Sequence, residues 1–328
     1  MSHRLIVLPD DGARPFLDAI DGARHALDIR MFVFTDPELL AAVAAAHRRG
    51  VLVRVMLNRS RRNGDDDNIE SRRLLAAAGI DVRDSHPKFD LTHQKSMVVD
   101  GTTGFVASLN WDTKNLTVTR DYAVVTTRPR ETREMTACFE ADWARSEFMP
   151  KPSSRLIWCP DNGRQRIATF IDAAGHSLWV QNERYQDTVI IERLVRAAVR
   201  GVKVHILAKA PHTLKPDKLI EGVGGLRILA DVGAEVRVLH PLKLHGKMLL
   251  ADGRRAIVGS INLSPGSFDG RRELAIETAN RSTVQRLKAY AHADWHASRR
   301  LDLSDEGLLH DLAKRAGHDP EKIALEKS

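Results

Sequence analysis

Two kinds of hydrophobic spacing alternate along the chain. Short apolar runs such as LIVL, LDIRMFVF and LVRVML in the first half, and LIW, LWVQNERY and VKVHIL in the second, have the length and β-branched content of strands. Between them, residues 38–49 and 190–200 place apolar side chains every three to four positions, which predicts helices. Gly50 and Gly201 follow these segments, where a glycine ends a helix and turns the chain into the next strand. Each half reads strand, helix, strand, helix, strand, strand. That alternation predicts an α/β fold in which a mixed, largely buried β-sheet is flanked by helices.

The halves are copies of one unit. LIVLPDDG (5–12) returns as LIWCPDNG (156–163), RGV (49–51) returns at 200–202, and Asp36 maps onto Asp187, each 151 residues later. THQKSMVVDG (92–101) returns as LHGKMLLADG (244–253), and ADW (141–143) returns at 293–295, each 152 residues later. So small a drift leaves little room for insertions. It divides the chain into a first repeat (1–150), a second repeat (151–300) and a helical tail (301–328), with the join in EFMPKPSSR (147–155). In the tail, Ser304 stands as an N-cap before Asp305 and Glu306. Residues 58–73, dense in Arg and Asp, and 209–225, with two prolines and three glycines, are expected to be loops.

A chain of 328 residues with 43% hydrophobic content can fill substantial cores. A formal charge of +7 and a pI near 9.5 suit polyanionic partners, nucleic acid or an anionic membrane surface, and equally suit a solvating surface. Cys138 and Cys159 stand alone, which argues against a disulfide framework or a thiolate zinc site and fits a reducing cytoplasm. No stretch approaches the roughly 20 apolar residues of a membrane span. The N-terminal run is too short for a signal sequence, so the expected location is the cytoplasm, with peripheral contact at the inner face of the membrane.

Chemistry enters through a pattern present in both repeats. His93, Lys95, Asp100, Ala107, Ser108 and Asn110 recur as His245, Lys247, Asp252, Gly259, Ser260 and Asn262, followed by Asp121 after Arg120 and by Glu273 after Arg272. Placed on a strand, His and Lys two residues apart share one face, so each repeat is expected to present half of one shared site. A phosphodiester needs a nucleophile, a proton donor for the leaving oxygen and positive charge around the other oxygens. A neutral imidazole can attack phosphorus and form a phosphohistidine while a protonated one delivers a proton to the alkoxide. Lys95, Lys247, Asn110 and Asn262 are expected to hold the phosphoryl oxygens, and no metal or other cofactor is called for. The residues alone leave open which histidine attacks.

The repeated H-x-K-x4-D-x6-G-S-x-N pattern resembles the phospholipase D superfamily, the HKD phosphodiesterases, over essentially the whole chain. The second motif, HGKMLLADGRRAIVGSIN, has every fixed residue. The first, HQKSMVVDGTTGFVASLN, departs at Ala107, where the family has Gly; tighter packing without loss of catalysis is expected there. The resemblance implies two α/β lobes related by a pseudo-two-fold axis with both motifs at their interface. It further implies His93 as nucleophile, His245 as general acid, and Asp121 and Glu273 as the carboxylates that orient the histidines. Asp100 and Asp252, each before a Gly at a strand-to-turn junction, are expected to fix structure, with Ser108, Ser260 and Gly259 as motif residues.

Opening PD-x-G, RGV before a strand and two motifs in one chain look like the bacterial cardiolipin synthase and phospholipase D group. Phospholipid is therefore the expected substrate, handled by a monomer that holds both half-sites. Nucleic acid is the alternative; a nuclease suits the positive charge, but 5% aromatic residues leave few stacking platforms. A non-enzymatic scaffold is disfavoured by the intact motifs. Trp143 and Trp295 are expected as core anchors with satisfied N–H groups. His86, His212 and His240 are expected at the surface, and Arg59, Arg61 and Arg62 are candidate phosphate contacts whose positive field is weakened by Asp65, Asp66 and Asp67.

Overall fold

The computed structural model describes residues 3–60, 64–211, 216–240 and 242–315. The first lobe contributes strands β1 (His3–Leu8), β2 (Ala26–Met31), β3 (Leu52–Leu57), β4 (Asp81–Asp84), β5 (Leu91–Thr92), β6 (Ser96–Val99), β7 (Thr103–Ala107) and β8 (Thr119–Thr126). Its helices are α1 (Arg14–Asp21), α2 (Pro37–Arg48), α3 (Ile69–Ala77), α4 (Thr113–Thr117) and α5 (Pro129–Trp143). The second lobe repeats this order with β9 (Leu156–Cys159), β10 (Ser177–Gln181), β11 (Lys203–Ala208), β12 (Glu235–Leu239), β13 (Lys243–Leu244), β14 (Met248–Ala251), β15 (Arg255–Gly259) and β16 (Arg271–Thr278). Helices α6 (Gly163–Asp172), α7 (Thr188–Val199), α8 (Pro216–Asp231), α9 (Pro265–Asp269) and α10 (Arg281–His296) accompany them; β17 (Ser298–Arg300) and α11 (Asp305–Arg315) follow.

The sheets are mixed and correspond strand by strand, β1-β8-β7-β6-β2-β3-β4 against β9-β16-β15-β14-β10-β11-β12. Period-two alternation decides which side chains meet. On β1, Leu5 and Val7 face the second lobe, while Ile6 and Leu8 face α1 and α2, where Phe16, Leu39 and Val43 cover them. The inner faces of both sheets share one core, with Tyr122 and Val124 of the first lobe among Trp158, Met248, Leu274 and Ile276 of the second. Helices α5 and α10 close it through Met135, Cys138, Val284 and Leu287. Each such side chain contributes about 1.5–3 kcal/mol by leaving water, so a lobe on its own would expose a costly face.

Asp36 and Asp187 cap the helices after β2 and β10, accepting from the N–H groups of Leu39 (3.0 Å) and Ile190 (3.1 Å). The strands themselves stop at Met31 and Gln181, earlier than the apolar runs suggest, and just beyond them Phe32 and Glu183 reach the motif residues while Phe34 and Tyr185 turn into the cores. Two expected loops are partly helical: α3 begins at Ile69 within 58–73, and α8 begins at Pro216 within 209–225. Proline suits a first helical turn, where no N–H partner is needed, so Pro216 opens the helix that the composition argued against. Arg61, Arg62 and His212 lie outside the described residues. Ser304 caps the tail helix by accepting from Gly307 N–H (3.1 Å).

Candidate active site

The motif histidines are not on strands. His93 to Lys95 span the gap between β5 and β6, and His245 to Lys247 the gap between β13 and β14. The reason is a crossover between lobes. Strand β5 pairs with β16 of the second lobe, and β13 pairs with β8 of the first, so each motif leaves the partner lobe's sheet before entering its own. The N–H groups of His93 and Gln94 both donate to Arg272 O (2.9 and 3.1 Å), and those of His245 and Gly246 to Arg120 O (3.3 and 2.7 Å).

This crossing sets the carboxylate partners. His93 Nδ1 lies 2.9 Å from Glu273 of the second repeat, and His245 Nδ1 lies 2.8 Å from Asp121 of the first. Carboxylates at Nδ1 fix each ring and leave Nε2 for the reacting group. Ser108 donates to Asp121 (2.6 Å), as do Thr119 (2.6 Å) and Asn115 (3.0 Å). Ser260 instead accepts from Leu274 N–H (3.1 Å). Lys95 donates to His93 O (2.6 Å), and Lys247 donates to His245 O. Lys95 feels the charges of Lys247, Glu183 and Asp121, which places both half-sites at one centre.

Burial lowers His93 to about 3, with Lys95 adding to the effect and Glu273 opposing it, so the imidazole is neutral near pH 7. Burial also holds Lys95 well below the usual lysine range; an anionic phosphate beside it would favour the charged form. Burial works against ionisation of Asp121 and Glu273, but His245, Lys247 and Ser108 around the first and His93, Lys95 and Arg271 around the second together outweigh it, and both stay below the usual carboxylate range. Asn110 and Asn262 are buried, and their Oδ1 atoms have no hydrogen-bond partner among the described residues. Buried amides left incomplete in this way are uncommon away from sites that receive another molecule.

Asp100 and Asp252 stand apart. In left-handed backbone (φ 50° and 55°), each accepts from three successive N–H groups at the start of β2 or β10, at Arg24, His25 and Ala26 or at Gly175, His176 and Ser177. Gly259 lies opposite Ala275, and a Cβ there would collide with Ala275 and Leu274 O; Ala107 occupies the equivalent place opposite Ala123. Trp143 is buried, stacked on Phe139 with Arg83 over its ring, and Trp295 carries Arg237 in the same way. His86 is half-buried, whereas His240 is exposed beside the site.

Three features escape the motif reading. Glu183 lies 2.7 Å from Lys247 Nζ and 3.7 Å from His245 Nε2, and an acidic residue inside the apolar run LWVQNERY is its only sequence signal. The aspartates of the repeated ADW make buried ion pairs across the lobes, Asp142 with Arg272 (3.2 Å) and Asp294 with Arg120 (3.0 Å). Arg30 also binds Asp142 (2.9 Å). A cavity of about 670 Å³ opens beside His245, where Lys114, Lys209, Lys243 and Arg299 outnumber Asp112 and Glu183, and Val238, Leu239, Leu242 and Leu244 form an apolar wall. A larger hollow of about 800 Å³, at the start of α5 around Arg128, Arg130 and Arg133, contains no motif residue.

Residues 16–143 and 167–295 each match the family described as cardiolipin synthase, PLD-like domain. The chain belongs to this family, within the phospholipase D superfamily. Among its relatives, cardiolipin synthase A of Pseudomonas putida is 26% identical over 251 residues, covering 67% of this chain and 50% of that protein. Cardiolipin synthase 1 of Bacillus anthracis is 23% identical over 87% of this chain and 64% of its own length. The mitochondrial cardiolipin hydrolase of Homo sapiens is 34% identical over 49% of this chain and 61% of its own. The chain thus spans about half to two thirds of these relatives. The solved phosphatidylserine synthase of Haemophilus influenzae has the same PLD-like fold, with a TM-score of 0.69 over 98% of this chain and 94% of its own, at 11% identity. Among the described residues no helix is long and apolar enough to cross a membrane.

Proposed function

We propose that this chain is a phosphodiesterase of the phosphatidyltransferase type that acts on phospholipids through a phosphohistidine, without a metal ion. The observation that carries the reading is the crossed pairing of His93 with Glu273 and His245 with Asp121, which supports one site with two imidazoles and two lysines. In the first step His93 Nε2 bonds to phosphorus, the bond from phosphorus to the leaving alcohol breaks, and His245 Nε2 gives its proton to that oxygen. In the second, His245 takes the proton of an incoming alcohol or water as its oxygen bonds to phosphorus and the P–N bond breaks. Lys95, Lys247, Asn110 and Asn262 hold the phosphoryl oxygens, where losing one preorganised donor costs about 10²- to 10³-fold in rate.

The lipid assignment is supported by relatives named as cardiolipin synthases and a cardiolipin hydrolase, and by a cavity that combines cations with an apolar wall, as an amphiphile requires. The charge of +7 favours peripheral attachment to an anionic membrane, and one chain carrying both half-sites works as a monomer. The test compares headgroup release from phosphatidylglycerol vesicles with cleavage of DNA, both in EDTA. Lipid turnover lost in His93→Asn and His245→Asn, with an acid-labile phosphoryl group trapped on the wild type and missing from His93→Asn, is the expected outcome. DNA cleavage alone makes the chain a nuclease, and turnover abolished by EDTA overturns the metal-free chemistry.

A further inference from the structure

The pseudo-two-fold symmetry fails at one position beside the reacting nitrogens. Phe32 and Glu183 stand 151 residues apart, the offset that relates the helix caps Asp36 and Asp187. Two residues on, Phe34 and Tyr185 make equivalent isolated bridges to Trp111 and Leu263, so the backbones correspond. The side chains do opposite things. Phe32 sets its ring edge-on to the His93 imidazole, centroids 4.8 Å apart, with Lys95 Nζ 5.0 Å from its centre. Glu183 places a carboxylate 3.7 Å from His245 Nε2, anchored by Lys247 (2.7 Å) and Lys209 (3.1 Å).

The charges around the two rings therefore differ. His245 has Asp121 at Nδ1 and Glu183 at Nε2, with Asp112 in electrostatic range, against Lys247 and Lys209, both bound to Glu183, and Lys114 and Lys243 across the cavity. His93 has Glu273 at Nδ1, against Lys95 and Arg271, with the Phe32 ring at the position where Glu183 stands in the other repeat. Burial works against ionisation of Glu183, but Lys247, His245 and Lys209 outweigh it, so the group is a carboxylate at neutral pH. A negative charge at Nε2 favours the imidazolium, and an apolar neighbour favours the neutral base.

We infer that Glu183 is the positioning residue that makes the two histidines unequal, holding the proton on His245 so that this ring is the acid, while Phe32 keeps His93 the nucleophile. The inference rests on the phosphohistidine reading above and adds what breaks its symmetry. The same Lys247 and Lys209 that bind Glu183 offset its repulsion of the substrate phosphate. Because His245 serves the leaving oxygen, the cavity beside it is where the leaving or incoming alcohol sits.

The experiment measures phosphatidylglycerol turnover from about pH 5 to 9 for wild type, Glu183→Gln and Glu183→Asp, alongside single-turnover release of p-nitrophenolate from a p-nitrophenyl phosphodiester. In Glu183→Gln the alkaline limb of the lipid profile moves down by about one to two pH units, and at pH 8 turnover falls at least tenfold. Glu183→Asp restores most of the limb. The p-nitrophenolate burst, whose leaving group needs no proton, changes less than about threefold. An unmoved limb, or equal loss with both leaving groups, overturns the inference while a phosphoryl group trapped on His93 keeps the wider reading. Failure to trap that group in the wild type removes both.

Discussion

At the scale of single residues, the two motifs are alike in sequence and unlike in what they tolerate. Ala107 and Gly259 are paired positions, yet a Cβ at 259 would strike Ala275 and Leu274 O, while the Cβ of Ala107 is already housed opposite Ala123. Gly259→Ala is therefore expected to destabilise the fold by about 1–3 kcal/mol, as overpacking does. Ala107→Gly should cost no more than about 1 kcal/mol, mostly backbone entropy. Urea unfolding of the two variants checks this, and equal losses would mean that the second sheet yields as easily as the first. The expectation that alanine is harmless at 107 concerns the first lobe only, because the same change is not neutral in its twin.

At the scale of elements, the crossover of β5 and β13 is what makes one site from two motifs, and its support is the pair of ion bridges beneath it. Arg272, whose carbonyl holds His93 and Gln94, is fixed by Asp142 of α5; Arg120, whose carbonyl holds His245 and Gly246, is fixed by Asp294 of α10. Asp294→Asn leaves Arg120 with Asp10, and Asp142→Asn leaves Arg272 with Asp161 while taking a carboxylate from buried Arg30, so each is expected to cost about 1–3 kcal/mol. Turnover should also fall, because the carbonyl that seats a histidine is released; stability near wild type with full activity would show that the bridges are dispensable. Both partners were visible in the sequence as repeated ADW and as Arg before each acid, but not that they pair, since nothing local links residues 174 or 130 positions apart. The same gap explains the misplaced histidines. Period-two spacing describes a strand, whereas residues 91–94 obey a long-range pairing with β16 that no window of neighbouring residues contains. The repeats, the alternation of strands and helices within each, and the motif residues themselves were legible because each recurs at a fixed offset. Glu183 was not, because it differs from its twin.

At the scale of the whole molecule, a shared inner core and exchanged edge strands bind the lobes into one unit, so heat should unfold both in a single transition with equal calorimetric and van't Hoff enthalpies. Acid acts on that unit through imidazoles held neutral by full burial, as at His93, or by partial burial, as at His205 and His292. Burial lowers His93 to about 3, and burial also lowers His205 and His292, which stack on either side of Trp179. Each binds its proton more weakly folded than unfolded, so the stability it adds is full above about pH 6.5 and declines as pH falls toward the folded value. From His93 alone, the loss between pH 6.5 and 5 is about 2 kcal/mol. Unfolding free energies of wild type and His93→Asn at pH 7 and pH 5 isolate that share, because asparagine does not titrate. The wild type should lose about 2 kcal/mol more than the variant over this interval. Parallel losses would mean that His93 binds its proton as readily in the folded as in the unfolded chain, so that burial and Lys95 do not hold the ring neutral against Glu273.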